Sequence, residues 1–189
     1  MFKLSEKMPT RDDLPLRWLA ALILRVSNWK FYGELPNERK VVVCAAPHCS
    51  NWDFVFAAAL IIYYRIDVTI MMKQEAFFWP LANFFRRLGF VPIDRKAPQG
   101  AVGEAIRIMH ESESCWLVMT PEGTRKRVKR WKSGFLRIAH EADVPISLLV
   151  LDYQNKLIRF EDLVQPSGNI KTQLEEIMAK YDKYKLKYD

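Results

Sequence analysis

From residue 40 onward, short apolar runs alternate with longer segments whose apolar residues have helical spacing. This alternation is typical of βαβ units wound around a mostly parallel sheet. The apolar runs predict strands at residues 41–46, 66–72, 90–93, 115–119 and 146–151. The segments between and after them predict helices at residues 51–65, 77–88, 101–111, 135–142 and 170–185. Together these elements predict one α/β domain over residues 1–189, in which helices flank a mostly parallel central sheet.

An amphipathic helix is predicted ahead of this core, at residues 14–31. The segment contains Trp18 and Trp29, and Arg17, Arg25 and Lys30 flank these tryptophans within it. Such a composition suits a helix lying in the interface of a bilayer, and it suits equally a helix packed on the core. Every apolar run is well short of the roughly 20 residues that cross a bilayer, so no spanning helix is predicted. No secretory signal is recognisable either.

Charge and cysteine content indicate the kind of partner and the redox compartment of the protein. The 189 residues carry a formal net charge of +7, from 29 Lys and Arg against 22 Asp and Glu. An anionic partner is therefore expected, and lipid headgroups, phosphate and nucleic acid all qualify. The three cysteines are odd in number and lack CxxC spacing, which favours a reducing compartment.

Three polar clusters follow directly after predicted strands. They are residues 48–53 after the first strand, residues 94–95 after the third and residues 121–125 after the fourth. In an open parallel sheet, ligands bind beyond the carboxyl ends of the strands. The three clusters are therefore expected to share one crevice.

The first cluster pairs His48 with Asp53. On one continuous helix the two side chains would differ by about 140° and face apart. Pro47 and the Ser50-Asn51 pair favour a bend followed by a helix start, which allows Asp53 to turn back towards the imidazole. A histidine held in this way is a general base for a hydroxyl. Taken alone, the pair is more often a loop histidine and a partner of the helix dipole.

The other two clusters suit anions. Arg95 ends a strand, where its planar fork could grip a phosphate through two hydrogen bonds. In the third cluster Gly123 allows backbone N–H groups to approach an anion beside Arg125. Each cluster alone is also compatible with a surface salt bridge or an ordinary turn.

The joint occurrence of the clusters resembles the glycerolipid acyltransferase family, typified by bacterial 1-acyl-glycerol-3-phosphate acyltransferases. The family's His-x4-Asp pattern matches His48 and Asp53. Its second block, a glycine, apolar residues and an acidic-Arg pair, matches residues 89–95, and its Glu-Gly-Thr-Arg block matches residues 122–125. The resemblance covers roughly residues 40–150. The chain departs from the family at Pro47, where Asn is common, and at Leu148, where proline is common.

This resemblance implies an O-acyltransferase with His48 as base and Asp53 as its partner. It implies that Arg95 is a phosphate ligand and that the third block binds the acceptor or organises the site. That block consists of Glu122, Gly123, Thr124 and Arg125, and Lys73 and Lys132 are secondary candidates. The implied donor is acyl-CoA or acyl carrier protein, without a further cofactor. The implied acceptor is a lysophospholipid or a glycerol-phosphate-type molecule at the cytoplasmic face of a membrane, to which the protein binds peripherally or interfacially.

Other interpretations use the same residues. The basic loop at 125–132 could serve a non-catalytic protein that binds lipid or nucleic acid, although no known nucleic-acid motif is present and no nucleic-acid partner is expected. A Cys-His enzyme would use Cys49, which lacks an orienting group of its own beyond Asp53. A metal site at His48, Cys49 and Asp53 lacks a fourth ligand, because His110 and His140 fall in predicted helices, so no metal is expected.

Overall fold

A computed structural model describes residues 5–12, 16–48, 50, 52–93, 100–124, 128–161, 163–182 and 184. Its helices are α1 (Arg17–Val26), α2 (Trp52–Tyr64), α3 (Leu81–Arg87), α4 (Gly100–Glu111), α5 (Gly134–Glu141) and α6 (Ile170–Tyr181). Its strands are β1 (Lys30–Tyr32), β2 (Lys40–Ala46), β3 (Thr69–Lys73), β4 (Phe90–Ile93), β5 (Cys115–Met119), β6 (Ile146–Asp152) and β7 (Leu157–Phe160). A short 3-10 turn at Gln74–Ala76 follows β3.

The described strands form one seven-stranded sheet in the order β1-β7-β6-β2-β5-β3-β4. Neighbouring strands are parallel except for β6 and β7, which form an antiparallel pair. Strand β2 lies at the centre, between β5 and β6. The carboxyl ends of these three strands therefore lie side by side at one edge of the sheet.

Helices cover both faces of the sheet, because β2 is apolar on both of its faces. Val41 and Val43 belong to the core beneath α1 and α2, while Val42, Cys44 and Ala46 belong to the core beneath α4, α5 and α6. A strand buried on both faces is continuously apolar in sequence, as residues 41–46 are. The predicted α/β class with a mostly parallel sheet is confirmed.

The core elements match their predicted positions closely, and two predicted boundaries in the middle of the chain are wrong. Strand β3, which was predicted at 66–72, begins at Thr69 instead of residue 66, because Ile66 pairs with Thr10 in an isolated antiparallel bridge. The next helix begins at Leu81 instead of residue 77. Residues that precede a proline disfavour helical geometry, and Trp79 precedes Pro80, so the helix cannot begin before that pair.

The predicted N-terminal helix at 14–31 is too long at its carboxyl end. Helix α1 ends at Val26, after which Asn28 adopts a left-handed conformation with φ of 56°. Trp29 is then buried in the core, and the following three residues form strand β1 along β7. Residues 13–15, at the predicted start, lie outside the described residues.

The carboxyl-terminal part contains one strand that the sequence pattern did not predict. Strand β7 returns from β6 through a tight turn and also pairs with β1. Helix α6 begins at Ile170 as predicted and ends at Tyr181, short of the predicted residue 185. No helix among the described residues combines the length and apolarity needed to cross a bilayer.

Gly89 explains why a glycine begins the second sequence block. Its φ is +89°, and a Cβ at this position would lie 1.9 Å from the carbonyl oxygen of Val68. Only glycine permits this approach at the turn between α3 and β4. This glycine therefore serves the close packing of two backbone segments.

Candidate active site

The candidate site lies at the carboxyl edge of the three central strands. His48 and Asp53 follow β2, Glu122 follows β5, and Tyr153 follows β6. Since β2 lies between β5 and β6, the polar residues after both neighbours approach the His48–Asp53 pair from opposite sides. The first and third blocks meet at this edge, whereas residues 94–95 of the second cluster lie outside the described residues.

His48 and Asp53 form a hydrogen-bonded pair. The imidazole Nδ1 lies 2.9 Å from Asp53 Oδ2. The Asp53 side chain is only 5% exposed, whereas the His48 side chain is 25% exposed. A nearly buried carboxylate thus holds one ring nitrogen of a histidine that solvent still reaches.

The predicted bend between the two residues is present. Ser50 is buried, and its carbonyl oxygen accepts a hydrogen bond from the Asp53 N–H at 3.3 Å. The Ser50 side-chain oxygen accepts from the Trp52 N–H at 3.2 Å, as an N-cap residue does at the start of α2. In return, the Ser50 N–H donates to Asp53 Oδ2 at 3.0 Å. These reciprocal bonds turn the Asp53 carboxylate back over the loop that carries His48.

Glu122 ties the third block to the first. Its Oε2 accepts a hydrogen bond of 2.6 Å from the backbone N–H of His48. Burial raises the pKa of Glu122 from its usual 4.5 to about 7. The His48 hydrogen bond and the charge of His48 oppose this shift, and the charge of Asp53 adds to it. The contact joins Glu122 to the loop that carries the histidine.

Gly123 of the third block lies against the side chain of Lys132. Gly123 has a φ of +63°, and a Cβ built on it would lie 2.9 Å from Lys132 Nζ. The backbone N–H of Lys132 donates to the Pro121 carbonyl oxygen at 2.8 Å, which holds the lysine in this position. Gly123 therefore lets a cationic side chain lie directly over the backbone that follows Glu122.

The remaining predicted site residues are Lys73, Arg95, Thr124 and Arg125. Thr124 is exposed next to Gly123, and Lys73 is exposed at the carboxyl end of β3, two strand positions from β2. Arg95 and Arg125 lie outside the described residues, so their predicted roles stay predictions. Strand β4 itself lies three strand positions from β2, which is about 14 Å at the usual strand spacing.

Tyr153 is a site residue that the sequence patterns did not indicate. Its hydroxyl donates a hydrogen bond to Asp53 Oδ1, the oxygen that His48 does not use. The available signal was its position directly after β6. That signal becomes informative only when β6 is known to lie beside β2.

Two cysteines of the chain can be assessed as nucleophiles. Cys44 and Cys115 are both buried free thiols, and burial raises the pKa of each thiol above its usual value. A raised pKa reduces the thiolate fraction that attacks a carbonyl carbon. Cys49, the residue of the alternative Cys-His interpretation, lies outside the described residues. Within the described part of the chain, no three His, Cys, Asp or Glu side chains group as metal ligands.

This chain is similar to known proteins both in its sequence and in its fold. A protein-family model described as Acyltransferase matches residues 28–150, which is more than half of the chain. A search of curated proteins found no match. Among solved structures, the crystal structure of the 1-acyl-sn-glycerophosphate (LPA) acyltransferase PlsC from Thermotoga maritima is similar, with a TM-score of 0.60 and 18% sequence identity. The similarity covers 91% of this chain and 80% of that chain. The family match confirms the resemblance that the three blocks indicated.

The raised pKa of Glu122 predicts a pH-dependent term in the stability of the fold. Folded protein keeps the Glu122 proton up to about pH 7, whereas the unfolded chain releases it near 4.5. Between these values the folded state binds more protons, so this group's contribution to the free energy of unfolding decreases as the pH rises. We expect Glu122→Gln, whose amide oxygen can still accept the His48 N–H, to remove that decrease. Chemical denaturation of both proteins from about pH 5 to about pH 8 measures the difference.

Glu104→Gln is the control with the opposite sign. The hydrogen bond from Arg107, together with its charge, lowers the pKa of the Glu104 carboxyl, so any stability that this contact adds is lost as the pH falls. Its effect should be small, because the pair is exposed. Parallel stability curves for wild type and Glu122→Gln would contradict the assignment of a raised pKa to Glu122.

Proposed function

We propose that this chain, which belongs to the Acyltransferase family, transfers a fatty acyl group to a hydroxyl of a lysophospholipid or glycerol-phosphate-type acceptor. The observation that carries the proposal is the 2.9 Å contact between His48 Nδ1 and Asp53 Oδ2 at the ligand-binding edge of the sheet. The donor is acyl-CoA or acyl carrier protein, which acts as a co-substrate.

His48 acts as the general base. Asp53 accepts hydrogen bonds from the Ser50 N–H and the Tyr153 O–H, and as an acceptor it requires the proton of the imidazole to be on Nδ1. The lone pair of Nε2 is then available for a hydroxyl proton. Among the described residues, Nε2 has no hydrogen-bond partner, and the partly exposed ring is accessible to a substrate.

The reaction needs no enzyme nucleophile. The acceptor oxygen attacks the thioester carbonyl carbon while its proton moves to His48 Nε2. The resulting tetrahedral intermediate expels the thiolate as the new ester forms. The thiolate takes the proton from the imidazolium, and the base is regenerated. Asp53 stabilises the imidazolium between the two steps, as the acidic member of a triad does.

The acceptor's phosphate is the source of specificity in this proposal. Arg95 and Arg125 supply guanidinium groups, and Lys132 supplies an ammonium that is held over Gly123. The basic loop at 125–132 adds positive potential near the same edge of the sheet.

The first test is the replacement of the base. We expect His48→Ala to lower acyl transfer by about 10²- to 10⁴-fold, because it removes general-base catalysis. His110→Ala is the matched control, since His110 lies on α4 at an exposed position. Both proteins should give the wild-type circular dichroism spectrum. Mass spectrometry of the products with acyl-CoA or acyl carrier protein and a panel of acceptors measures the transfer. Wild-type turnover by His48→Ala would refute the assigned base.

The second test concerns the acceptor's phosphate. We expect Arg95→Ala and Arg125→Ala each to raise the KM for a phosphorylated acceptor by about tenfold or more, with little change in the KM for the donor. Arg137→Ala, on the exposed side of α5, removes a comparable charge elsewhere and serves as the control. Equal effects on donor and acceptor would contradict phosphate binding by these arginines.

A membrane face is the last part of the proposal. Trp18, Leu22 and Val26 are exposed at four-residue intervals and form one stripe along α1, in which Trp18 is 69% exposed. A second exposed group precedes and opens α3: Phe78, Trp79, Leu81 and Phe84. Trp79 is 89% exposed. The core contacts of both helices belong to the same face of the sheet.

The opposite face of the protein lacks such exposed apolar groups on its described helices. None of the described residues of α4, α5 and α6 is an exposed large apolar residue. Large apolar side chains concentrated on one face, beside Arg25, Arg86 and Arg87, suit the interface of an anionic bilayer. The protein is therefore proposed to bind peripherally at the cytoplasmic face of a membrane, through the layer that contains α1 and α3.

The third test measures membrane binding. We expect the double variant Trp18→Ser/Trp79→Ser to reduce binding to vesicles that contain phosphatidylglycerol by about tenfold or more, because both indoles leave the interface. Leu163→Ser removes an exposed apolar residue outside the proposed face and is the control. Sedimentation with vesicles measures binding. Unchanged binding by the double variant would contradict the proposed face.

A further inference from the structure

Both oxygens of the Asp53 carboxylate are occupied, and they bind groups from different parts of the fold. Oδ2 lies against His48 Nδ1 and accepts from the Ser50 N–H, both of which belong to the loop after β2. Oδ1 accepts from the hydroxyl of Tyr153, which follows β6. A carboxylate held at one oxygen can still rotate about its side-chain bonds. One that is held at both oxygens keeps a fixed orientation towards the imidazole.

The turn that carries Tyr153 is itself well braced. Asp152 ends β6 as a buried residue, and its carboxylate accepts from the Asn155 backbone N–H at 3.0 Å and from Asn155 Nδ2 at 2.7 Å. Lys156 closes the turn with a left-handed φ of 49°, and its carbonyl oxygen accepts from the Lys30 N–H at 2.8 Å. The hairpin between β6 and β7 is thereby joined to β1.

The ring of Tyr153 is fixed by the same assembly. Trp29 immediately precedes β1 and is buried. Its ring contacts the Tyr153 ring edge-on, with centroids 5.1 Å apart, and it also contacts Phe56 of α2 with centroids 4.9 Å apart. Such contacts restrict the rotation of an aromatic side chain and thus the direction in which its hydroxyl points.

We propose that Tyr153 is a positioning residue for acyl transfer, which acts by holding Asp53 Oδ1 so that Oδ2 keeps the His48 imidazole in its reactive tautomer and orientation. The inference rests on the proposed function, because it assigns Tyr153 a role through the His48–Asp53 pair. Tyr153 contacts neither substrate in this role. Its effect therefore belongs to the rate of the chemical step and leaves substrate binding unchanged.

The Tyr153→Phe variant isolates the hydroxyl, because phenylalanine retains the ring that packs on Trp29. We expect kcat to fall by about 10- to 100-fold, since the variant loses a hydrogen bond to a charged group. Both KM values should stay within about twofold of wild type. Tyr32→Phe is the matched control: Tyr32 is an exposed tyrosine of β1 that Arg159 stacks against at 4.5 Å, so a ring remains for that contact, and kcat should not change.

A double-mutant cycle distinguishes positioning from a general structural role. In an Asp53→Asn background, Tyr153→Phe should cause little further loss, because the carboxylate through which it acts is absent. The NMR resonance of the hydrogen-bonded His48 Nδ1 proton should shift in Tyr153→Phe and stay in place in Tyr32→Phe.

The activities of Tyr153→Phe and His48→Ala separate the role of Tyr153 from the proposed function. Wild-type kcat in Tyr153→Phe, with inactive His48→Ala, would overturn the role of Tyr153 and leave the proposed function standing. Equal losses from Tyr153→Phe in the wild-type and Asp53→Asn backgrounds would also overturn it, since the tyrosine would then act independently of Asp53. Full activity of His48→Ala would instead refute the proposed function itself.

Discussion

The pairing of β2 with β5 on one side and β6 on the other is the constraint on which the candidate site depends. His48 and Glu122 are 74 positions apart in the sequence, and Asp53 and Tyr153 are 100 positions apart. Parallel neighbours bring all four residues to the same edge of the sheet. The register of β2 with both neighbours fixes the height at which the three loops meet.

This arrangement supports His48 from two directions. Glu122 binds the backbone N–H of His48 and holds the loop, while Asp53 binds the side chain and holds the ring. The two carboxylates have different environments: burial raises the pKa of Glu122 to about 7, and Asp53 is surrounded by hydrogen-bond donors. Two acidic residues beside one histidine thus have separate structural tasks.

The two faces of the sheet also differ in the large apolar side chains that their helices expose. The layer with α1 and α3 carries exposed tryptophans, and the layer with α4, α5 and α6 carries no exposed large apolar side chain among its described residues. The carboxyl edge of the sheet, which carries the candidate site, lies between these layers. In the proposed function, this geometry gives an enzyme that can receive an amphiphile from one side while its polar residues meet the headgroup at the edge.

The amino-acid sequence determined the α/β class, most of the central elements and the His48–Asp53 pair. These follow from local signals: continuous apolar runs for strands buried on both faces, helical spacing, and a serine that caps the helix carrying Asp53. Gly89 was also a local signal in the sequence, since a glycine here permits a backbone contact that any Cβ would block. Family membership followed from three such local blocks.

Only the tertiary structure decided what depends on the order of strands in the sheet. Strand β7 was missed because it is only four residues long, and its pairing with β1 joins residues distant in sequence. The predicted helix at 14–31 was too long because Trp29 belongs to the core around β1. The contacts of Glu122 with His48 and of Tyr153 with Asp53 arise from the same pairing. Sequence spacing fixes which residues share a loop, but hydrogen bonding between strands fixes which loops meet.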